Sequence, residues 1–337
     1  MPDDTDPHTQ VQGEASIRDL VADVVAGKTR AVARAMSIAE GRSQDAEALM
    51  ADLHRRAGHA HVVGLTGVPG SGKSTMVAGL TRAFRKLGKT VGIVAIDPSS
   101  PFSGGAILGD RVRMTGFSED DGVFIRSMAT RGALGGLARA SLDTVDVLDA
   151  AGFDIILIET VGVGQDEVDI VQAAHTVIVV SAPGLGDEIQ AIKAGILEIA
   201  DIHVVSKCDK PDAPRTLQDL TGMLHLGRPG KGDLAWVIPV LPTSAETGQG
   251  IEELAVTILD HYTHLENSGE MEVRKRQILQ MRIIKSAEDI LRERLLRERE
   301  GKLQGLLDRT YNRDMDVRAA ARELLSTVTV KGTPGDD

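Results

Sequence analysis

The residues best suited to chemistry lie in one run, Gly67-Val68-Pro69-Gly70-Ser71-Gly72-Lys73-Ser74-Thr75. It fits G-x-x-x-x-G-K-[ST], in which glycines let backbone N–H groups wrap a phosphate and the following helix adds partial positive charge at its N-terminus. Lys73 is then placed to reach the β- and γ-phosphates of a nucleoside triphosphate, and the Ser74 hydroxyl to ligate Mg2+. An apolar run, His61–Thr66, precedes the loop and a helix-favouring stretch follows it, which is the context the motif needs. A chance glycine-rich turn explains four fixed positions in that context poorly.

A second group, Ser206-Lys207-Cys208-Asp209, follows another apolar run. It is similar to N-K-x-D, where a carboxylate accepts from both N1–H and the exocyclic amine of guanine. Adenine offers neither donor at that edge, and charge-assisted hydrogen bonds of about 1.5–3 kcal/mol each make the discrimination large. Ser206 stands in place of Asn. Its hydroxyl lacks the amide's second hydrogen-bonding group, which puts affinity in question more than base choice. Thr243-Ser244-Ala245 resembles the S-A loop whose backbone reads the guanine oxygen, adding Ser244 and Ala245 to the base site. The plainer alternative for Lys207–Asp209 is a solvated strand end.

Mg2+ takes hard oxygen ligands, few of them from protein. Asp97 closes one apolar run and Glu159 another, while Asp110 lies in the glycine-rich stretch after Asp97. Ile158-Glu159-Thr160-Val161-Gly162 has the shape of D-x-x-G with Glu for Asp, so that the Gly162 N–H would meet a γ-phosphate. Gln165 is the candidate to orient an attacking water, a polar loop residue being an equally good description of it. The alternative for each carboxylate is a helix cap or loop role. Pro101–Gly109 and Gly162–Glu167 read as loops whose order depends on the γ-phosphate. Gly184–Lys193 reads as a third loop, able to sense a partner. Nine His and the single Cys208 show no shared ligand spacing, and His261 and His264 read as a solvated helix face.

These residues must be held by an α/β fold. His61–Thr66, Thr90–Ile96, Val123–Arg126, Asp154–Ile158, Thr176–Ser181, His203–Ser206 and Ala235–Val240 are short, mostly β-branched, continuous apolar runs, as in strands buried on both faces. Helical stretches lie between them, at about 73–87, 134–150, 186–200, 213–225 and 250–264, which predicts a mostly parallel sheet covered by helices on both faces. The expected organisation is a disordered N-terminus over 1–13, a helical extension over 14–58, the phosphate-loop domain over 59–266, a helical arm over 267–330 and a disordered tail over 331–337. Within the arm, Glu270–Glu300 is charged and helix-favouring, with Ile283, Ala287, Ile290, Leu291 and Leu295 on one stripe. A second short helix is expected from about Asp316 to Ser326.

The chain has 337 residues with 38 Lys+Arg against 49 Asp+Glu, a net charge of −11, which argues against nucleic acid and anionic membranes as partners. Five Phe, two Tyr and one Trp leave few platforms for stacking bases. No apolar stretch reaches the roughly 20 residues of a membrane span. Met1–Gln10 reads as neither secretory signal nor transit peptide, so a cytoplasmic location is the expectation.

GVPGSGKST, AIDPSSPFSGGAILGDRVRM, TRGALGGLARA and LIETVGVGQDEVDI, with the degenerate N-K-x-D, resemble the MeaB/MMAA (ArgK-like) family of P-loop GTPases, over roughly residues 15–330. That family is grouped with nickel chaperones in the SIMIBI class. The resemblance implies GTP/GDP and Mg2+ as ligands and slow, partner-stimulated hydrolysis. It implies methylmalonyl-CoA mutase, an adenosylcobalamin enzyme, as the partner whose cofactor loading is gated and which is protected from inactivation. An adenosyltransferase as cofactor source and a homodimer held by the C-terminal helical arm are implied likewise. By position, Ser74, Asp97, Asp110 and Glu159 fall on the family's Mg2+ and switch residues, Asp209 on its guanine reader, and Gly184–Lys193 on a third switch. Some members carry a transport-kinase label, and a transport-linked or small-molecule P-loop kinase or ATPase is the competing reading. A metal-delivering GTPase and a binding module without turnover are more distant ones.

Overall fold

The computed structural model describes residues 7–41, 43–97, 115–117, 119–129, 139–160, 169–184, 196–226, 236–297 and 302–329. They fall in two compact units, Met1–Ile278 and Leu279–Asp337.

The first unit is built on a seven-stranded, wholly parallel sheet of order β3-β2-β4-β1-β5-β6-β7. Its strands are β1 (His61–Thr66), β2 (Val91–Asp97), β3 (Val123–Ala129), β4 (Ile155–Thr160), β5 (Thr176–Ser181), β6 (Ile202–Val205) and β7 (Val240–Pro242). Its helices are α1 (Pro7–Val25), α2 (Thr29–Ala39), α3 (Gln44–His54), α4 (Lys73–Lys86), α5 (Arg139–Ala150), α6 (Ala213–Leu226) and α7 (Ile251–Ser268). α8 spans Glu270–Arg297, and α9 (Lys302–Tyr311) and α10 (Val317–Thr329) belong to the second unit.

The continuous apolar runs have a simple cause. Successive side chains of a strand point to opposite faces, and here both faces are covered. Val62, Val94, Ile156, Val177 and Val179 pack with α1, α2, α3 and α5 through Leu20, Met36, Leu53 and Leu148. Val63, Leu65, Ile93, Leu157 and Ile178 pack on the other side with α4 and α7 through Met76, Leu80, Phe84, Leu254 and Ile258. Leu53, Leu65, Leu80 and Leu148 are fully buried, each contributing about 1.5–3 kcal/mol of hydrophobic stabilisation. The N-terminal helices therefore share the sheet's core.

Three local expectations differ from the structure. α1 is already helical at Pro7, inside the stretch expected to be disordered, because proline is well tolerated in a helix's first turn, where its missing N–H goes unused. β7 starts at Val240, with residues 236–239 of the expected run outside the strand, since Pro239 has no N–H to give and only its carbonyl joins the ladder, accepting from His203 N at 2.9 Å. α9 has no counterpart in the expected arm. In the second unit, Leu306 of α9 is buried and Arg309 pairs with Glu323 of α10 at 3.0 Å.

Candidate nucleotide-binding site

β1 lies between β4 and β5, and the glycine-rich loop leaves its carboxyl end. In open α/β sheets, ligands bind in the crevice outside the carboxyl ends of the strands. The loop's first residue is fixed by space: a Cβ on Gly67 would lie 2.2 Å from the carbonyl oxygen of Val180 in β5. Its last glycine is fixed by conformation, since Gly72 caps α4 at φ 90°, a left-handed geometry that side chains resist. Gly72 brings no side-chain cap to the first turn of this 14-residue helix, which leaves those N–H groups to a ligand. Lys73 is buried at 6% exposure, and its ammonium donates to the carbonyls of Gly67 at 2.6 Å and Val68 at 3.1 Å. The charge is thus folded back from α4 onto the start of the loop.

The Ser74 hydroxyl donates to Glu159 Oε1 at 2.5 Å, with both residues buried. Glu159 reaches it because it stands beside Leu65 in the β1–β4 ladder and beside Ala95 in the β2–β4 ladder. Two hard oxygen donors thus meet at the helix N-terminus, a fitting start for an Mg2+ site that completes its shell with water and phosphate oxygens. Among the described residues, no three His, Cys, Asp or Glu side chains gather as a metal site. Asp97 ends β2 opposite Ala129 of β3, so its backbone is at the same sheet edge.

The Ser206–Asp209 segment is bound to this loop. Ser206 follows β6, and its hydroxyl lies 2.6 Å from the Ser71 carbonyl and 3.0 Å from that of Ser181. Lys207 takes a left-handed φ of 52° and donates through Nζ to the Gly70 carbonyl at 2.8 Å. Cys208 N–H donates to the Thr243 carbonyl at 2.9 Å, which joins this segment to the Ser244-Ala245 loop. The Ser244 hydroxyl bonded to Asp209 holds its carboxyl below the usual carboxylate range. Gly67–Thr75, Ser206, Lys207, Asp209, Ser244 and Ala245 are thus joined through the contacts of Ser71, Gly70 and Thr243. The side chain of Asp97, together with Asp110, Gly162, Gln165 and the Leu185–Lys193 part of the third loop, lies outside the described residues, as do the Pro101–Gly109 and Gly162–Glu167 loops.

The opposite, amino edge of the sheet carries a second polar cluster that no local motif announces. Asp201, just before β6, accepts from Val177 N–H at 2.8 Å and from Arg274 of α8 through both terminal nitrogens, at 2.6 and 2.9 Å. His261 Nε2 stands 3.5 Å from Asp201, and its Nδ1 is 2.8 Å from Thr176 Oγ1, which in turn is 2.7 Å from His61 Nε2. His175 Nδ1 accepts from Val62 N–H at 3.2 Å. Trp236 donates to the Asp201 carbonyl at 2.8 Å and lies over His261 and His264. The solvated face expected at His261 and His264 is therefore wrong: His261 is 1% exposed and His264 half-buried, because α7 turns that face toward the sheet. Burial is the largest cause that lowers the His175 and His261 pKa values to about 4 and drives that of His61 well below its usual value.

Comparison with known proteins bears on these features together. The family model described as methylmalonyl Co-A mutase-associated GTPase MeaB matches residues 32–300. A Pyrococcus abyssi protein named as a GTPase is 44% identical over 313 residues, covering 93% of this chain and 97% of its own. The GTPase ArgK of Escherichia coli is 32% identical, covering 82% of this chain and 86% of its own. A crystal structure titled LAO/AO transport system kinase superposes with a TM-score of 0.68 at 25% identity, covering 94% of this chain and 98% of that one.

Proposed function

The chain belongs to the MeaB family of GTPases, and from that premise we propose that it couples GTP binding and hydrolysis to the care of an adenosylcobalamin-dependent methylmalonyl-CoA mutase. It gates cofactor loading and protects the mutase from inactivation. The observation that carries this reading is the match of the mutase-associated family model over residues 32–300, which spans both the phosphate loop and the base-reading loops.

GTP is cleaved by in-line attack of water on the γ-phosphorus: a new P–O bond forms, the bond to the bridging β–γ oxygen breaks, and GDP and phosphate leave. The Lys73 ammonium exchanges its contacts with the Gly67 and Val68 carbonyls for phosphate oxygens, whose charge it stabilises. Loop N–H groups and the first turn of α4 hold the same phosphates. Asp209 and the Ser244-Ala245 loop hold the guanine. Ser74 and Glu159, with Asp97 and Asp110 as further candidates, would hold Mg2+, which when bound neutralises charge on the β- and γ-phosphates. Gln165 orients the water.

The C-terminal helices form a homodimer contact. That reading is supported by Ile283, Ile290 and Leu291 on α8, which are 68%, 54% and 39% exposed. Among the described residues, no helix is long and apolar enough to cross a membrane.

The test is phosphate release from GTP, alone and with stoichiometric methylmalonyl-CoA mutase. Release is expected to be slow alone and to rise about tenfold or more with the mutase. Lys73→Ala is expected to lower both rates by roughly 10²–10³-fold, the effect of removing one preorganised charge-stabilising donor. A flat rate removes the mutase assignment and leaves the GTPase. Tighter binding of ADP than of GDP favours the kinase or ATPase reading instead.

A further inference from the structure

Ser206 occupies the position at which the guanine-specificity pattern has Asn, yet its hydroxyl is engaged on the phosphate side. It lies 2.6 Å from the Ser71 carbonyl and 3.0 Å from the Ser181 carbonyl, and the Ser206 N–H donates to that same Ser181 oxygen at 2.8 Å. A serine hydroxyl has one proton to give, so its donor capacity is used up on these two backbone oxygens. Ser206 is 4% exposed and Ser71 is fully buried, so a bond lost between them is not replaced by bulk water. Two neighbouring contacts act on the same loop. Lys207 Nζ donates to the Gly70 carbonyl at 2.8 Å, and Gly67 leaves no room for a Cβ against Val180 of β5. Lys207 itself stands in the left-handed region at φ 52°, a conformation that needs tying down in a non-glycine residue.

We infer that Ser206 is a positioning residue for the phosphate loop, a strut from the end of β6 to the Ser71 carbonyl and the end of β5, and that it does not read the base. Guanine selection is left to Asp209 and its hydroxyl partner Ser244. The inference rests on the reading of Gly67–Thr75 as a phosphate loop, and it gives the hydroxyl that stands at the Asn position a role: it links the end of β6 to that loop.

The test separates base from phosphate by using a ligand with no base. Binding of GDP and of inorganic tripolyphosphate, each with Mg2+, is measured by calorimetry for the full chain and for Ser206→Ala. The strut predicts that both affinities fall by the same factor, roughly tenfold, which is what losing a buried hydrogen bond costs. The KM for GTP is expected to rise in parallel, while the ratio of GDP to ADP affinity stays as it was. Ser206→Thr, which keeps the hydroxyl, is expected to restore both affinities. A loss of GDP affinity with tripolyphosphate binding unchanged overturns the inference in favour of base contact, and no change in either ligand overturns it outright. Should Ser206→Ala melt early, Ser206→Cys carries the same comparison, because it preserves volume and gives up the strong donor. A wild-type protein that binds ADP as tightly as GDP sinks the guanine reading and leaves the strut intact.

Discussion

The two edges of one sheet handle charge in opposite ways. At the carboxyl edge, Lys73 and Lys207 donate to neutral backbone carbonyls and Asp209 accepts from a hydroxyl. Such contacts are modest, and a charged ligand can replace them with stronger ones. At the amino edge, charge is answered within the protein: the Asp201 carboxylate is gripped by both terminal nitrogens of Arg274 and by a backbone N–H, with a histidine beside it. Nothing is gained by exchanging those partners. The contacts of the first edge can be exchanged, and those of the second close on one another. The same strands supply both, β6 being flanked by Asp201 at one end and Ser206 at the other.

The largest test of this contrast is acid. His175 and His261 keep pKa values of about 4 when folded, against 6.5 ordinarily, with His61 also lowered. Between those values the unfolded chain takes up protons that the folded chain refuses, so stability falls as the pH drops from about 6.5 toward 4. At pH 5 the loss is about 2 kcal/mol for each of the two histidines, roughly 4 kcal/mol together. Urea midpoints at pH 7.5 and pH 5 measure it, in a window above the range in which ordinary carboxylates titrate. Equal midpoints would mean that the histidine cluster is open to water.

A smaller effect is expected from Asp201→Ala, which strands the Arg274 guanidinium and the Val177 N–H. Breaking a largely buried ion pair of this kind costs on the order of 3 kcal/mol in unfolding free energy. GDP affinity of the folded protein is expected to stay within about twofold. A matching loss of GDP affinity would show that the two edges are not energetically separate. The smallest effect is expected from Ser244→Ala, which removes the hydrogen bond that does most to hold the Asp209 carboxyl below its usual range. It should weaken GDP about threefold, with urea stability nearly unchanged, a modest hydrogen bond being at stake. An unchanged GDP affinity would remove Ser244 from the base site.

The contrast also explains what a reader of the sequence can see. The glycine-rich loop pattern, the Ser206–Asp209 pattern and the strand–helix alternation are local, legible because a few adjacent residues carry each one. The amino-edge cluster is assembled from His61, His175, Asp201, Trp236, His261 and Arg274, spread over more than two hundred residues. Arg274 and Asp201 alone are 73 positions apart, and no spacing rule joins them. The same holds for Asp149 of α5, which accepts from the N–H groups of Gly58, His59 and Ala60 about 90 residues upstream. Polarity and spacing alone make His261 and His264 read as solvated, because the surface that covers them is remote in sequence. Ser206 stands in a local pattern, but its engagement with Ser71, 135 positions away, is a property of the fold.

The placement of Trp236 has an optical consequence. It is the only tryptophan, beside two tyrosines, so nearly all intrinsic fluorescence excited at the red edge of absorption originates from this one indole. Its ring centroid lies 4.8 Å from that of His261, and imidazolium quenches indole emission more strongly than neutral imidazole. The chain thus carries a built-in lamp that dims when the amino edge takes up protons. Because the lamp hangs at the far end of the strands from the phosphate loop, nucleotide titrations need a label of their own.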